Sequence, residues 1–220
     1  MKQYNELLTL YKQPFELVRL GRQCDGGYIV PVDLICNNLL SCGISTEISF
    51  EQDYLKHISA PNIHCFDGTI ANFPSNDLSF NWHKLNIGSR DTDSEVSLNT
   101  IFDKCFKTAT DIFVKMDIEC AEYASFDTIA VENLQKINCL VLEVHNIECE
   151  YAKFKQLMDI LQKELVLVHK HDNNCGRYFS FENKTLADVY ELTFINKKYL
   201  VELQVNDVQL PIQGLDFNNR

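Results

Sequence analysis

The amino-acid sequence predicts an α/β protein: a seven-stranded, mostly parallel, Rossmann-like sheet with helices on both faces and an antiparallel last strand pair. Three observations predict it. Short apolar runs alternate with segments of helical spacing. Three runs end in acids, first Asp67, then Asp117 with Glu119, then Glu143, and the carboxyl ends of parallel strands share one edge. The last two runs have no helical pattern between them, so they are expected to pair antiparallel.

The elements follow in order. Leu7, Leu8, Leu10, Tyr11 and Phe15 predict a short helical lead-in within residues 1–18, stopped near Pro14. Asp25-Gly26-Gly27 before Tyr28-Ile29-Val30 is a tight turn into a strand, and two glycines let backbone approach a ligand. Leu39 to Ser45 is a buried strand ending in Gly43. Ser49 and Gln52 match a weak capping box, and Phe50, Tyr54, Leu55 and Ile58 mark the helix behind it. Ile63 to Asp67 is the second strand, residues 68–80 are a loop, and Asn81 to Gly88 is the third strand. Val96 to Phe106 is spaced as a helix.

Asp111 to Tyr123 organises the rest. It begins as an apolar strand and ends in Asp117 and Glu119, which strand alternation places on one face, with Glu122 just beyond. One helix face then carries Tyr123, Phe126, Ile129, Ala130 and Leu134. Cys139 to His145 is the fifth strand, Tyr151 to Leu161 an amphipathic helix, Leu165 to His169 the sixth strand and Val189 to Ile195 the seventh. From about residue 203 apolar anchors are few, as in a tail or lid. The whole, 1–220, reads as one domain without repeats or low-complexity segments.

Composition narrows the function. A net charge of −11 with no basic stripe argues against nucleic acid as a partner and favours a positively charged small ligand. No run reaches membrane-spanning length, and Met1 to Glu6 has no apolar signal core. Nine scattered cysteines without a CxxC pair argue against a zinc ribbon and for a reduced, cytoplasmic protein.

The stretch Lys115-Met116-Asp117-Ile118-Glu119-Cys120-Ala121-Glu122 resembles the K-I-D-I-E-G-A-E element of FkbM-type class I S-adenosylmethionine-dependent methyltransferases. Asp25-Gly26-Gly27-Tyr28, Gly43-Ile44-Ser45 with Ile48-Ser49-Phe50-Glu51, and Leu142-Glu143-Val144-His145 support the resemblance, which covers about residues 19–200. It implies S-adenosyl-L-methionine as cofactor. The loop of Gly43 and Ser45 would pass under its methionine portion, and Asp67 would accept from its ribose hydroxyls. Asn86 would border the adenine, and Asp117 would face the sulfonium and ammonium. Asp25, Gly26, Gly27 and Tyr28 would lie against cofactor or acceptor. Two departures stand out: one glycine, Gly43, replaces G-x-G-x-G, and Cys120 replaces the glycine of E-G-A-E.

The implied reaction is methyl transfer to a hydroxyl of a sugar, sugar nucleotide or polyketide-like metabolite, with a surface-glycan role by analogy. A hydroxyl needs activation at neutral pH. His145 is the favoured base, with Glu143 or Glu119 orienting it and Asp117 beside it; His169 and His171 are second-line candidates, and His57, His64 and His83 are read as structural. In the alternative, Asp117, Glu143 and His145 hold a divalent metal that acidifies the acceptor. Two other classes are a methyltransferase-like binding domain without catalysis, which suits the reduced glycine motif, and a dehydrogenase, which lacks its G-x-G-x-x-G here. The sequence carries no signal of oligomeric state.

Overall fold

The computed structural model describes residues 4–181 and 184–220. Met1 to Gln3, part of the start read as lacking a signal core, lie outside the described residues. Helix α1 (Tyr4–Leu7) precedes an antiparallel hairpin of β1 (Leu17–Leu20) and β2 (Tyr28–Pro31). The expected longer lead-in helix is therefore corrected. Beyond Leu7 the chain leaves the helix through a turn, and Tyr11 bridges to Val205 of the tail.

Strand β3 (Asn38–Cys42), helix α2 (Ser49–Leu55), β4 (Asn62–Phe66) and β5 (Phe80–His83) come next. Then follow β6 (Asn86–Gly88), β7 (Glu95–Ser97), α3 (Leu98–Cys105) and β8 (Ile112–Met116). The second half contains α4 (Glu122–Asp127), α5 (Val131–Lys136), β9 (Ile137–Val144), α6 (Tyr151–Leu161) and β10 (Leu165–Asp172). It ends with the hairpin β11 (Tyr178–Phe181) and β12 (Lys184–Ala187), and with β13 (Tyr190–Asn196).

The main sheet has seven strands in the order β10-β13-β9-β8-β3-β4-β5. The five strands from β9 to β5 run parallel, and β13 runs antiparallel to both β9 and β10. From β3 the chain steps outward to β4 and β5, then returns to lay β8 on the other side of β3. That reversal is the switch point outside which open sheets bind ligands.

Both faces of the sheet are covered, which is why its central strands are mostly apolar and buried. Alternate residues divide between two clusters. Leu40, Val114 and Leu140 pack with Phe102, Phe126 and Phe154 of the helices on one face. Leu39, Phe113 and Cys139 pack with Phe50 and Tyr54 of α2 and with Tyr28 and Val30 of the hairpin on the other. Each large side chain so buried contributes about 1.5–3 kcal/mol. Among the described residues no helix is long and apolar enough to cross a membrane.

Four further expectations are corrected. The third strand breaks at Lys84–Leu85, where the Leu85 N–H donates to the His83 carbonyl (2.9 Å), and β6 pairs with β7 instead of extending β5. The helix carrying Tyr123 and Leu134 is two helices. Asn99 of α3 holds the break, donating to the Thr128 carbonyl and accepting from the Ala130 N–H and the Asn133 amide. The capping box does not form: Ile48 caps α2 without a side-chain bond, and the Ser49 hydroxyl donates to Glu47. The tail is docked: the Asn206 N–H donates to the Leu10 carbonyl (2.8 Å), and buried Asn219 donates to Glu191.

Candidate active site

Three strand ends are tied together at the switch point. The Gly43 N–H donates to the Phe66 carbonyl of β4 (3.0 Å), and the Asp117 N–H to the Cys42 carbonyl of β3 (3.0 Å). Gly43 has φ +76°, and a β-carbon built there would sit 1.5 Å from the Asp117 carbonyl oxygen, so no side chain fits. Lys115, buried within β8, donates from Nζ to the Gly43 carbonyl (2.7 Å) and lies over the Tyr28 ring. Burial opposes its charge, yet nearby Glu51, Asp117 and Glu143 raise its pKa above the usual lysine value. Burial likewise raises the pKa of the Glu51 carboxyl, to which Ser41 donates.

Asp67 does a different first task from the expected one. Its Oδ2 accepts from the backbone N–H groups of Ile44 (3.1 Å) and Ser45 (2.7 Å), and its Oδ1 from the N–H (2.8 Å) and hydroxyl (2.6 Å) of Thr69. Burial opposes its charge, but these bonds win and hold its pKa below the usual aspartate value. The loop after Gly43 is thus shaped by Asp67. Above it lies a cleft of about 480 Å³ lined by Gly43, Ser45, Asp67, Asn86, Asp117 and Glu119. Asn86, at the start of β6, accepts from the Gly68 N–H (3.2 Å) at the rim. Glu95 and Thr69, absent from the sequence reading, also line it.

Asp25 and Gly26 border a smaller cleft of about 270 Å³ that shares Gly43, Ser45 and Asp117 with the larger one. Gly27 differs. A β-carbon there would meet the Arg22 carbonyl at 2.0 Å, so this glycine serves the packing of its own loop. Buried Tyr28 points its hydroxyl between Asp117 and Glu143, 3.2 Å from each, and its single proton serves one at a time.

His145 follows the end of β9 and stands among four acids. Its Nδ1 is 3.2 Å from Glu122; its Nε2 is 3.4 Å from Glu143, 3.6 Å from Glu119 and 3.8 Å from Asp117. Burial alone would lower its pKa, but the bonds to Glu122 and Glu143 override this and push it up to about 11. Glu143, buried and bonded by the Asn173 amide (2.7 Å), has its pKa raised by burial. Glu122 is fully buried and also accepts from the Ile118 N–H (3.2 Å). The sequence reading placed His145 beside Glu143, Glu119 and Asp117, and missed the structural weight of Glu122 and Asn173. Glu122 closes the quoted motif, which is the signal that could have marked it.

Strand alternation is not what aligns Asp117 with Glu119. Strand β8 ends at Met116, and Glu119 and Cys120 adopt φ +53° and +80° in a turn. The Glu119 side chain is 84% exposed. Cys120 holds a left-handed conformation that glycine adopts without strain. Cys120→Gly is accordingly expected to stabilise the fold by about 0.5–1 kcal/mol, read as a higher urea midpoint. A lower midpoint would mean that the thiol packs favourably enough to outweigh the strain.

His169 (3.2 Å) and His171 (3.3 Å) both face Asp216 of the tail. The ligand atoms of Asp117, Glu143 and His145 lie within 4.8 Å of one another, as do those of His64, His83 and Cys105. No protein-family model and no curated protein matches the chain.

Proposed function

We propose that the chain is an S-adenosylmethionine-dependent O-methyltransferase of the FkbM type, acting on a hydroxyl of a sugar, sugar nucleotide or similar small metabolite. The observation that carries the reading is the convergence of the Gly43–Ser45 loop, Asp67 and the turn after Asp117 on one cleft at the switch point of the sheet. The residues fit the cofactor. The cleft is in the size range of small-molecule sites, and its acids suit a sulfonium and an ammonium. When bound, S-adenosylmethionine supplies an activated methyl group. The loop of Gly43 and Ser45, shaped by Asp67, would form the floor under its methionine portion, Asp67 would border the ribose, and Asn86 would stand at the adenine rim. Holding acceptor and methyl in line is the main task left to the chain.

Calorimetric titration with S-adenosylhomocysteine and with NAD tests this. Binding of the first alone supports the proposal; binding of NAD alone makes the chain a nucleotide-dependent oxidoreductase. Binding without any methyl-sized mass gain across a panel of sugars and nucleotide sugars supports the non-catalytic binding domain.

Acceptor activation has two readings. With its pKa at about 11, His145 is protonated at neutral pH and accepts a proton only after losing its own. As a base it predicts a rate that climbs about tenfold per pH unit between pH 7 and 9. The second reading is favoured by the convergence of Asp117, Glu143 and His145 within 4.8 Å, a donor set suited to a divalent cation, which would supply Lewis acidity there. Activity lost on chelation and restored by magnesium or manganese selects it. Activity indifferent to chelator, but lost in His145→Ala with S-adenosylhomocysteine affinity intact, selects the base.

A further inference from the structure

The pair His64 and His83 was read from sequence as structural, and the cysteine spacing as arguing against a zinc ribbon. The fold assembles a different set from three segments. His64 lies in β4, His83 ends β5, and Cys105 ends α3. Their nearest ligand atoms all fall within 4.8 Å of one another, and all three residues are partly exposed.

We propose that His64 Nδ1, His83 Nε2 and Cys105 Sγ form a zinc(II) site, with the fourth position left to water. The two nitrogens are 2.9 Å apart. Two nitrogens on a tetrahedral zinc at the usual bond length stand about 3.3 Å apart, so the pair needs to open by only a few tenths of an ångström. The His64 tautomer is already the right one, and His83 Nε2, which donates to His64 Nδ1 in the metal-free pair, ligates once its proton has moved to the ring's Nδ1. His64 Nε2 lies 3.1 Å from Asn62 Oδ1, which can only accept, so the ring proton sits there and Nδ1 presents a lone pair. Fixing a ligand histidine through its other nitrogen is the usual arrangement around bound zinc. The rings are also held: His83 stacks on Phe66 (4.3 Å between centroids, 10° between planes), and Phe106 meets His64 edge-on (5.2 Å).

Imidazole with thiolate selects zinc over magnesium or calcium, which prefer oxygen donors. Binding joins the thiolate to the metal and releases its proton to solvent. The site would clip α3 to β5, which among the described residues is an edge strand paired with β4. It does not depend on the methyltransferase reading and shares no residue with the Asp117, Glu143 and His145 group.

The test uses the full chain, reduced with a non-chelating phosphine. Cobalt(II) titrated as a probe is expected to give a thiolate-to-metal charge-transfer band at one equivalent, bleached by zinc. The band is expected to vanish in Cys105→Ser and His83→Ala and to persist in His145→Ala. Asn62→Ala is expected to weaken zinc binding about tenfold to a hundredfold. X-ray absorption of the zinc-loaded wild-type protein, which needs no variant to fold, is expected to show one sulfur near 2.3 Å and the rest nitrogen or oxygen near 2.0 Å, roughly the usual bond lengths. A shell without sulfur, or a cobalt band that survives Cys105→Ser, would overturn the proposal.

Discussion

Gly43→Ala is expected to destabilise the protein by about 3–5 kcal/mol, a large share of the stability of a domain this size. Two physical causes add. The residue holds φ +76°, and the new methyl would overlap the Asp117 carbonyl oxygen at 1.5 Å. Neither neighbour yields cheaply, because Asp117 is bonded through its N–H to Cys42 and the Gly43 carbonyl accepts from buried Lys115. Relief would have to separate β3 from β8 at the centre of the sheet. Equilibrium urea unfolding measures this. A loss under about 1 kcal/mol would show that the two strand ends move apart freely.

Asp67→Ala is expected to damage both the loop and the cofactor site. Removing the carboxylate deprives the Ile44 and Ser45 N–H groups, the Thr69 N–H and the Thr69 hydroxyl of their acceptor. Charge-assisted bonds contribute about 1.5–3 kcal/mol each, and their losses here are not additive because they share one residue. S-adenosylhomocysteine affinity is expected to fall about tenfold to a hundredfold, measured calorimetrically at a temperature where the variant remains folded. Affinity equal to wild type would move the cofactor elsewhere. The stability carries a pH signature. The folded pKa of Asp67 lies below its unfolded value, so its contribution is present above about pH 4 and is lost as pH falls through the folded pKa. The variant's stability should vary less with pH in that acidic window. His145 has the opposite sign: its contribution is complete below about pH 6.5 and fades as pH rises toward about 11.

Much of the architecture was legible in the chain. Strands β3, β4, β8, β9, β10 and β13 were each marked by an apolar run, and α6 by its apolar stripe. The antiparallel pairing of β10 with β13 followed from the lack of a helical segment between them. The small elements were not legible. Strands β6 and β7 have three residues each and β11 and β12 four each, too few for a period to show. The break between α4 and α5 depends on Asn99, about thirty residues away on another helix, and no local pattern reports it.

The sequence by itself determined that acids crowd the carboxyl edge of an α/β sheet, and that Gly43, Asp67, Asp117, Glu143 and His145 belong there. Alternation and the succession of strands and helices along the chain are local properties, set by which side chains can be buried. Only the tertiary structure decided what those groups do there. Asp67 is occupied with the Ile44–Ser45 loop, His145 is held charged by acids from two strand ends and the start of α4, and Gly27 packs its own turn. Ionisation and ligand sets follow from distances of a few ångströms and from burial, which arise between segments far apart along the chain. His64, His83 and Cys105 make the same point: three unremarkable positions in the sequence become one donor set where β4, β5 and α3 meet.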